Sequence, residues 1–137
     1  SWMGKHTLFR WPFGPIMRAL GGVPVRRRKS EKLVSAMART FDDHEELGIV
    51  VPAEGTRTYV EYWKSGFYHI AMTADVPIVM SYLDYAKKLG GFGPAFFPSG
   101  DISKDMDTIR AFYEGREGKY PALFGRIRLR EEDAPQS

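Results

Sequence analysis

Apolar and polar positions fall into blocks along the chain, and the spacing within each block predicts an element. Over residues 12–20, Ile16, Met17 and Leu20 share one side, which predicts a short helix closed by Gly21-Gly22. Residues 23–27 read as a short strand, with Pro24 at its start or at a sheet edge because it has no N–H to donate. Ser30 is an N-cap for a helix with Leu33, Val34, Met37, Phe41 and Leu47 on one face and Arg39, Asp42 and Asp43 on the other, ended by Gly48. The run Ile49-Val50-Val51 predicts a short buried strand that breaks at Pro52 and opens into a polar turn. Residues 65–74 are apolar nearly all round, so the expectation is a helix buried on more than one side and stopped at Asp75. Residues 76–83 are a second continuous apolar run, expected as another buried strand, and a further strand is expected around 94–97, reached through Gly90-Gly91. Ser103 caps a last helix with Met106, Ile109, Phe112 and Tyr113 inward. Arg126-Ile127-Arg128-Leu129-Arg130 alternates like an edge strand, and residues 131–137 read as a frayed tail.

Strands thus alternate with helices three times. This pattern predicts an α/β fold: a mostly parallel or mixed sheet flanked by helices in an αβα sandwich, incomplete at the N-terminus. The expected organisation is one domain over residues 1–121 and a tail over 122–137. A chain of 137 residues is long enough to bury a real core. The absence of cysteine excludes disulfides and thiolate metal sites.

Charge changes the picture. The net charge is +3, but Lys5, Arg10, Arg18, Arg26, Arg27, Arg28, Lys29 and Lys32 face Glu31 alone in residues 1–32, while the rest of the chain is net acidic. A basic end on a near-neutral body points to an anionic partner. Among such partners nucleic acid is not expected, because the single basic run lacks interleaved aromatics. A peripheral contact of Arg26, Arg28 and Lys29 with an anionic membrane face fits better.

The three histidines, His6, His44 and His69, lack the spacing of a metal site, so none is expected. Neither a Gly-Lys-Ser/Thr phosphate loop nor a Gly-x-Ser-x-Gly elbow occurs. What remains is a set of cations next to strand ends, where open α/β sheets present ligand groups. Arg27 closes the 23–27 strand, Arg57 follows the 49–51 run, and Lys64 stands just before a helix N-terminus, where the dipole also favours an anion. Gly55 allows close backbone approach, and Arg57 offers a planar fork of donors suited to phosphate.

These residues fall into ordered blocks. Gly21-Gly22-Val23-Pro24-Val25-Arg26-Arg27, Glu54-Gly55-Thr56-Arg57 and Val76-Pro77-Ile78 resemble the second, third and fourth blocks of the 1-acyl-sn-glycerol-3-phosphate acyltransferases, within the wider glycerolipid acyltransferase family. The stretch from Glu61 to Tyr68 is similar to a small branch of that family, whose second block usually has Asp where this chain has Arg26. The resemblance implies transfer of a fatty acyl group from acyl-CoA or acyl carrier protein to the free hydroxyl of a lysophosphatidate-like acceptor in phospholipid synthesis. Lysophospholipid and acyl thioester are the implied partners, with no further cofactor. It implies substrate binding by Arg27, Glu54, Gly55, Thr56 and Arg57, to which position adds Lys64, with Gly22, Val25, Val76, Pro77 and Ile78 as supporting residues. The implied location is the cytoplasm, peripheral on the inner membrane face.

The family's first block, His-x-x-x-x-Asp, supplies the general base and the carboxylate that orients it. Five residues after His6, His44 and His69 stand Trp11, Ile49 and Ala74, so the block does not occur in these residues. The expectation is an N-terminal truncation that holds the phosphate-binding part without the catalytic pair. The alternative is a non-catalytic relative that binds a phosphate or lipid headgroup.

Overall fold

The computed structural model describes residues 2–5, 22–25 and 30–134. The expected helix over 12–20, and Arg26, Arg27, Arg28 and Lys29, lie outside them. The chain divides into two compact units, Ser1–Pro52 and Ala53–Ser137.

In the first unit, β1 (Trp2–Lys5) pairs in parallel with β2 (Gly22–Val25), Trp2 opposite Gly22 and Lys5 opposite Val25. Residues 2–5 carry no clear alternation, so this strand was not legible in the sequence. Helix α1 (Ser30–Asp42) buries Met37 and Ala38. It stops at Asp42, short of the Gly48 expected as its end. Acids at its C-terminus oppose the helix dipole, and the His44 ring closes the last turn by donating from Nδ1 to the Thr40 carbonyl at 2.8 Å. The run 49–51 is not a buried strand: Val50 is a lone bridge residue and is 64% exposed.

In the second unit, α2 (Gly66–Ala74) ends at Asp75, which takes a left-handed conformation, φ 53°, while the Val76 N–H bonds the Ala71 carbonyl. This helix is buried on one side only, through Tyr68, Ile70 and Ala71, whereas His69, Met72 and Thr73 face outward. β3 (Ile78–Asp84) and β4 (Leu89–Phe96) form an antiparallel hairpin over a four-residue turn, since a connection so short cannot return the chain in parallel. β3 alternates rather than burying both faces, with Met80 and Asp84 inside and Val79, Ser81 and Leu83 outside. β4 runs through Gly90-Gly91 instead of starting after them.

Helix α3 (Ile102–Tyr113) is capped by Asp101, not Ser103. The Asp101 Oδ1 accepts the Lys104 N–H at 3.1 Å. The cap is set early because Asp105 holds the preceding loop, accepting from the Ser99 N–H at 2.7 Å and the Ser99 hydroxyl at 2.9 Å. Tyr68 donates to the same carboxylate at 2.8 Å and accepts the Gly100 N–H at 3.1 Å, which ties α2 to α3. Tyr68, Met80, Met106, Ile109 and Leu129 make the core.

Residues 126–130 form a single parallel bridge, Leu129 to Trp63, in place of an edge strand. Residues 130–133 coil into a 3-10 turn rather than fraying. Arg110 holds it, donating to Glu132 at 2.8 Å and to the Ile127 carbonyl at 3.1 Å. The architecture is therefore mixed α/β, with the described residues in two separate two-stranded sheets. Among the described residues no helix is long and apolar enough to cross a membrane.

Candidate functional site

The turn after Pro52 takes its shape from two hydrogen bonds and the conformation of one glycine. The Lys64 N–H donates to the Ala53 carbonyl at 2.7 Å, closing the chain on itself. Glu54 is half-buried, and its Oε1 accepts the Gly125 N–H at 3.1 Å. Gly125 is forced to be glycine, because a Cβ there would overlap the Val60 carbonyl oxygen. Gly55 adopts φ 68°, the left-handed region that glycine enters without penalty. The aliphatic stem of Lys64 passes 3.4 Å from where a Gly55 Cβ would stand, so Lys64 lies across the turn.

Beyond Gly55 the chain is exposed. The Thr56 hydroxyl accepts the Thr58 N–H at 3.3 Å and lies 3.1 Å from the Thr58 hydroxyl, which bends Thr56-Arg57-Thr58 outward. Arg57 and Lys64 are both exposed, and neither joins an ion pair among the described residues. Two cations thus flank one glycine turn. Of the residues singled out in the sequence, Gly55, Thr56, Arg57 and Lys64 come together here. Glu54 belongs to the same turn, with its Oε1 engaged by the Gly125 N–H.

The supporting residues lie elsewhere. Gly22 and Val25 are the two ends of β2. Val76 and Pro77 lead into β3, and Ile78, its first residue, packs on the core. Arg27 lies outside the described residues.

Next to the turn, Ser65 precedes α2 but does not cap it with its side chain. Its hydroxyl donates to Glu131 Oε1 at 2.5 Å, and His69 Nε2 lies 3.7 Å from the same oxygen. Burial pushes the Glu131 carboxyl up, but the Ser65 hydrogen bond and His69 outweigh it, and the group sits below its ordinary value. The sequence offers no signal for this cluster, since 66 positions separate Ser65 from Glu131.

A cleft of about 180 Å³ is lined by Glu61, Tyr62, Arg126, Arg128 and Asp133. Tyr62 donates to Asp133 at 2.6 Å, and Arg128 pairs with the same carboxylate. The Tyr62 hydrogen bond, with Arg128 behind it, holds Asp133 below the ordinary carboxylate range. Because its charges neutralise one another, this cleft offers an anion less than the open turn does. Among the described residues no group of three or more His, Asp or Glu side chains converges as a metal site would require.

The sequence profile of the acyltransferase family matches residues 1–83. The chain belongs to the acyltransferase family. Neither the curated proteins nor the solved structures compared with it gave a match. The span matched to the acyltransferases takes in β2, the Glu54–Arg57 turn, Lys64 and all of β3 but its last residue. It ends at Leu83, inside β3, so the Gly125, Glu131 and Asp133 ties of this acyltransferase fall beyond it.

Proposed function

We propose that these residues form the acceptor side of a 1-acyl-sn-glycerol-3-phosphate acyltransferase. The observation that carries this reading is the Gly55 turn, with Arg57 and Lys64 exposed beside it and unpaired among the described residues. A phosphate monoester seated on the turn would take charge-assisted hydrogen bonds from the Arg57 guanidinium and the Lys64 ammonium. Thr56 adds a hydroxyl.

Holding the phosphate fixes the glycerol backbone and so the free hydroxyl. In the reaction proposed, that hydroxyl oxygen attacks the carbonyl of an acyl thioester. The hydroxyl proton passes to a base, the ester forms, and the thiolate leaves. The base belongs to a His-x-x-x-x-Asp block, which residues 1–137 do not contain. These residues alone are therefore expected to bind the acceptor without transferring an acyl group.

Titration with glycerol 3-phosphate and with monomeric lysophosphatidate, followed by calorimetry, tests the reading. Saturable binding is expected, and Arg57→Gln should weaken it about tenfold or more, the loss of one charge-assisted hydrogen bond. Arg39→Gln, on the exposed face of α1, should leave it unchanged. Absence of saturable binding, or equal loss with both variants, would refute the assignment.

A further inference from the structure

We propose that the tip of the β3–β4 hairpin is a contact surface for an anionic lipid bilayer. The surface belongs to the second unit and does not depend on the acceptor site. The Tyr85 N–H donates to the Glu117 carbonyl at 3.0 Å, which fixes the loop after α3 beside the hairpin turn. Lys119 Nζ then lies 6.0 Å from the Tyr85 ring centroid and 5.4 Å from that of Tyr120. Tyr85, Leu89 and Tyr120 are each half or more exposed, interleaved with Lys87, Lys88 and Lys119. Amphipathic rings and lysines side by side match the boundary between acyl chains and headgroups, where the ring body is buried and the ammonium reaches anionic phosphate.

Three further observations point to lipid. Lysines outnumber exposed acids here: Asp84 is buried under the turn and holds Lys87 through its N–H at 3.0 Å and its Nζ at 3.6 Å, and Glu117 is the one acid in residues 115–120. Lys88, in the left-handed conformation at φ 54°, is exposed at the turn itself, which sets its charge at the tip. Leu83, 70% exposed, and Phe92, 82% exposed, share the outer face of the hairpin and add apolar surface on that side of the strands. A second copy of the chain laid on this surface by a twofold axis would set lysine against lysine, whereas a bilayer carrying negative headgroups complements it.

The chain has no cysteine, so Leu89→Cys accepts one environment-sensitive fluorophore at the tip of the full 137-residue protein. Phosphatidylcholine vesicles with and without phosphatidylglycerol are the probes. A blue shift on the phosphatidylglycerol vesicles alone is expected, reversed by salt as screening shortens the field. The same label at Thr108→Cys, on the exposed side of α3, should not shift. Adding Lys88→Gln or Lys119→Gln to the Leu89→Cys protein should weaken the interaction about five-fold for each charge removed. The proposal is overturned by no shift, by an equal shift on neutral vesicles, by an equal shift of the Thr108 label, or by a shift without vesicles that grows with protein concentration. The last result would assign the surface to self-association.

Discussion

The Glu54 carboxylate accepts the backbone N–H of Gly125, 71 positions away, at 3.1 Å. A motif residue thereby holds the chain beyond the family match, and the Gly125 end of the bond is buried. Glu54→Ala leaves that N–H without a partner and should cost about 1–2 kcal/mol in denaturant unfolding. Glu54→Gln keeps an acceptor oxygen at the same reach and should recover most of the loss.

Gly55 isolates backbone conformation from packing. Its φ of 68° disfavours any β-carbon, yet a Cβ there would meet the Lys64 stem at an ordinary 3.4 Å. Gly55→Ala should therefore destabilise by about 1–2 kcal/mol, and Gly55→Asn by clearly less, because Asn visits the left-handed region more readily. Equal costs for the two variants would mean that space, not φ, requires the glycine.

The Tyr68 phenol should make the fold sensitive to alkali. Burial, and then its hydrogen bond to Asp105, push it from 10.0 up to about 12. Above pH 10 the unfolded chain gives up the phenolic proton while the folded chain keeps it, so stability falls as pH rises from 10 to about 12. Tyr68→Phe removes this titration. The variant should be less stable at neutral pH, where the Gly100 N–H loses its acceptor, and the gap to the parent should narrow across that window. Unfolding midpoints of both proteins at stepped pH would measure it.

Arg110 and Glu132 hold the 3-10 turn over 130–133, and the Glu132 carboxylate is nearly fully buried while the guanidinium is about one-third exposed. The same carboxylate accepts the Leu129 N–H at 2.8 Å. Glu132→Gln has one acceptor oxygen for these two donors. A loss of about 1–2 kcal/mol is expected, discounted for the exposed part of the pair. Faster proteolytic release of residues beyond 130 should accompany it.

What was legible in the sequence was local. Met106, Ile109, Phe112 and Tyr113 recur at helical spacing, and all four face or flank the core. Asp75 stops its helix as expected. The acyltransferase blocks are short contiguous strings, so they too can be read along the chain without knowing how it folds. What was not legible depends on partners far along the chain or on alternation that glycine blurs. Three apolar residues at 49–51 do not distinguish a buried strand from an exposed linker, and Val50 faces outward. Gly90-Gly91 looks like a break but lies within β4. The hairpin turn carries Lys88 in the left-handed conformation where Gly or Asn would have announced it. Glu131, Glu132 and Asp133 read as a solvated tail because the groups that hold them, Ser65, Arg110 and Tyr62, carry no mark of the pairing.

The ties from the C-terminal segment also order events during synthesis. The Glu54–Arg57 turn leaves the ribosome well before Gly125 and Glu131, whose bonds fix Glu54 and Ser65. A nascent chain halted before residue 125 would carry the whole acyltransferase match with its candidate anion turn still unanchored. Ribosome-bound intermediates should therefore gain acceptor affinity abruptly as residues 125–131 emerge, long after the motif itself has been translated.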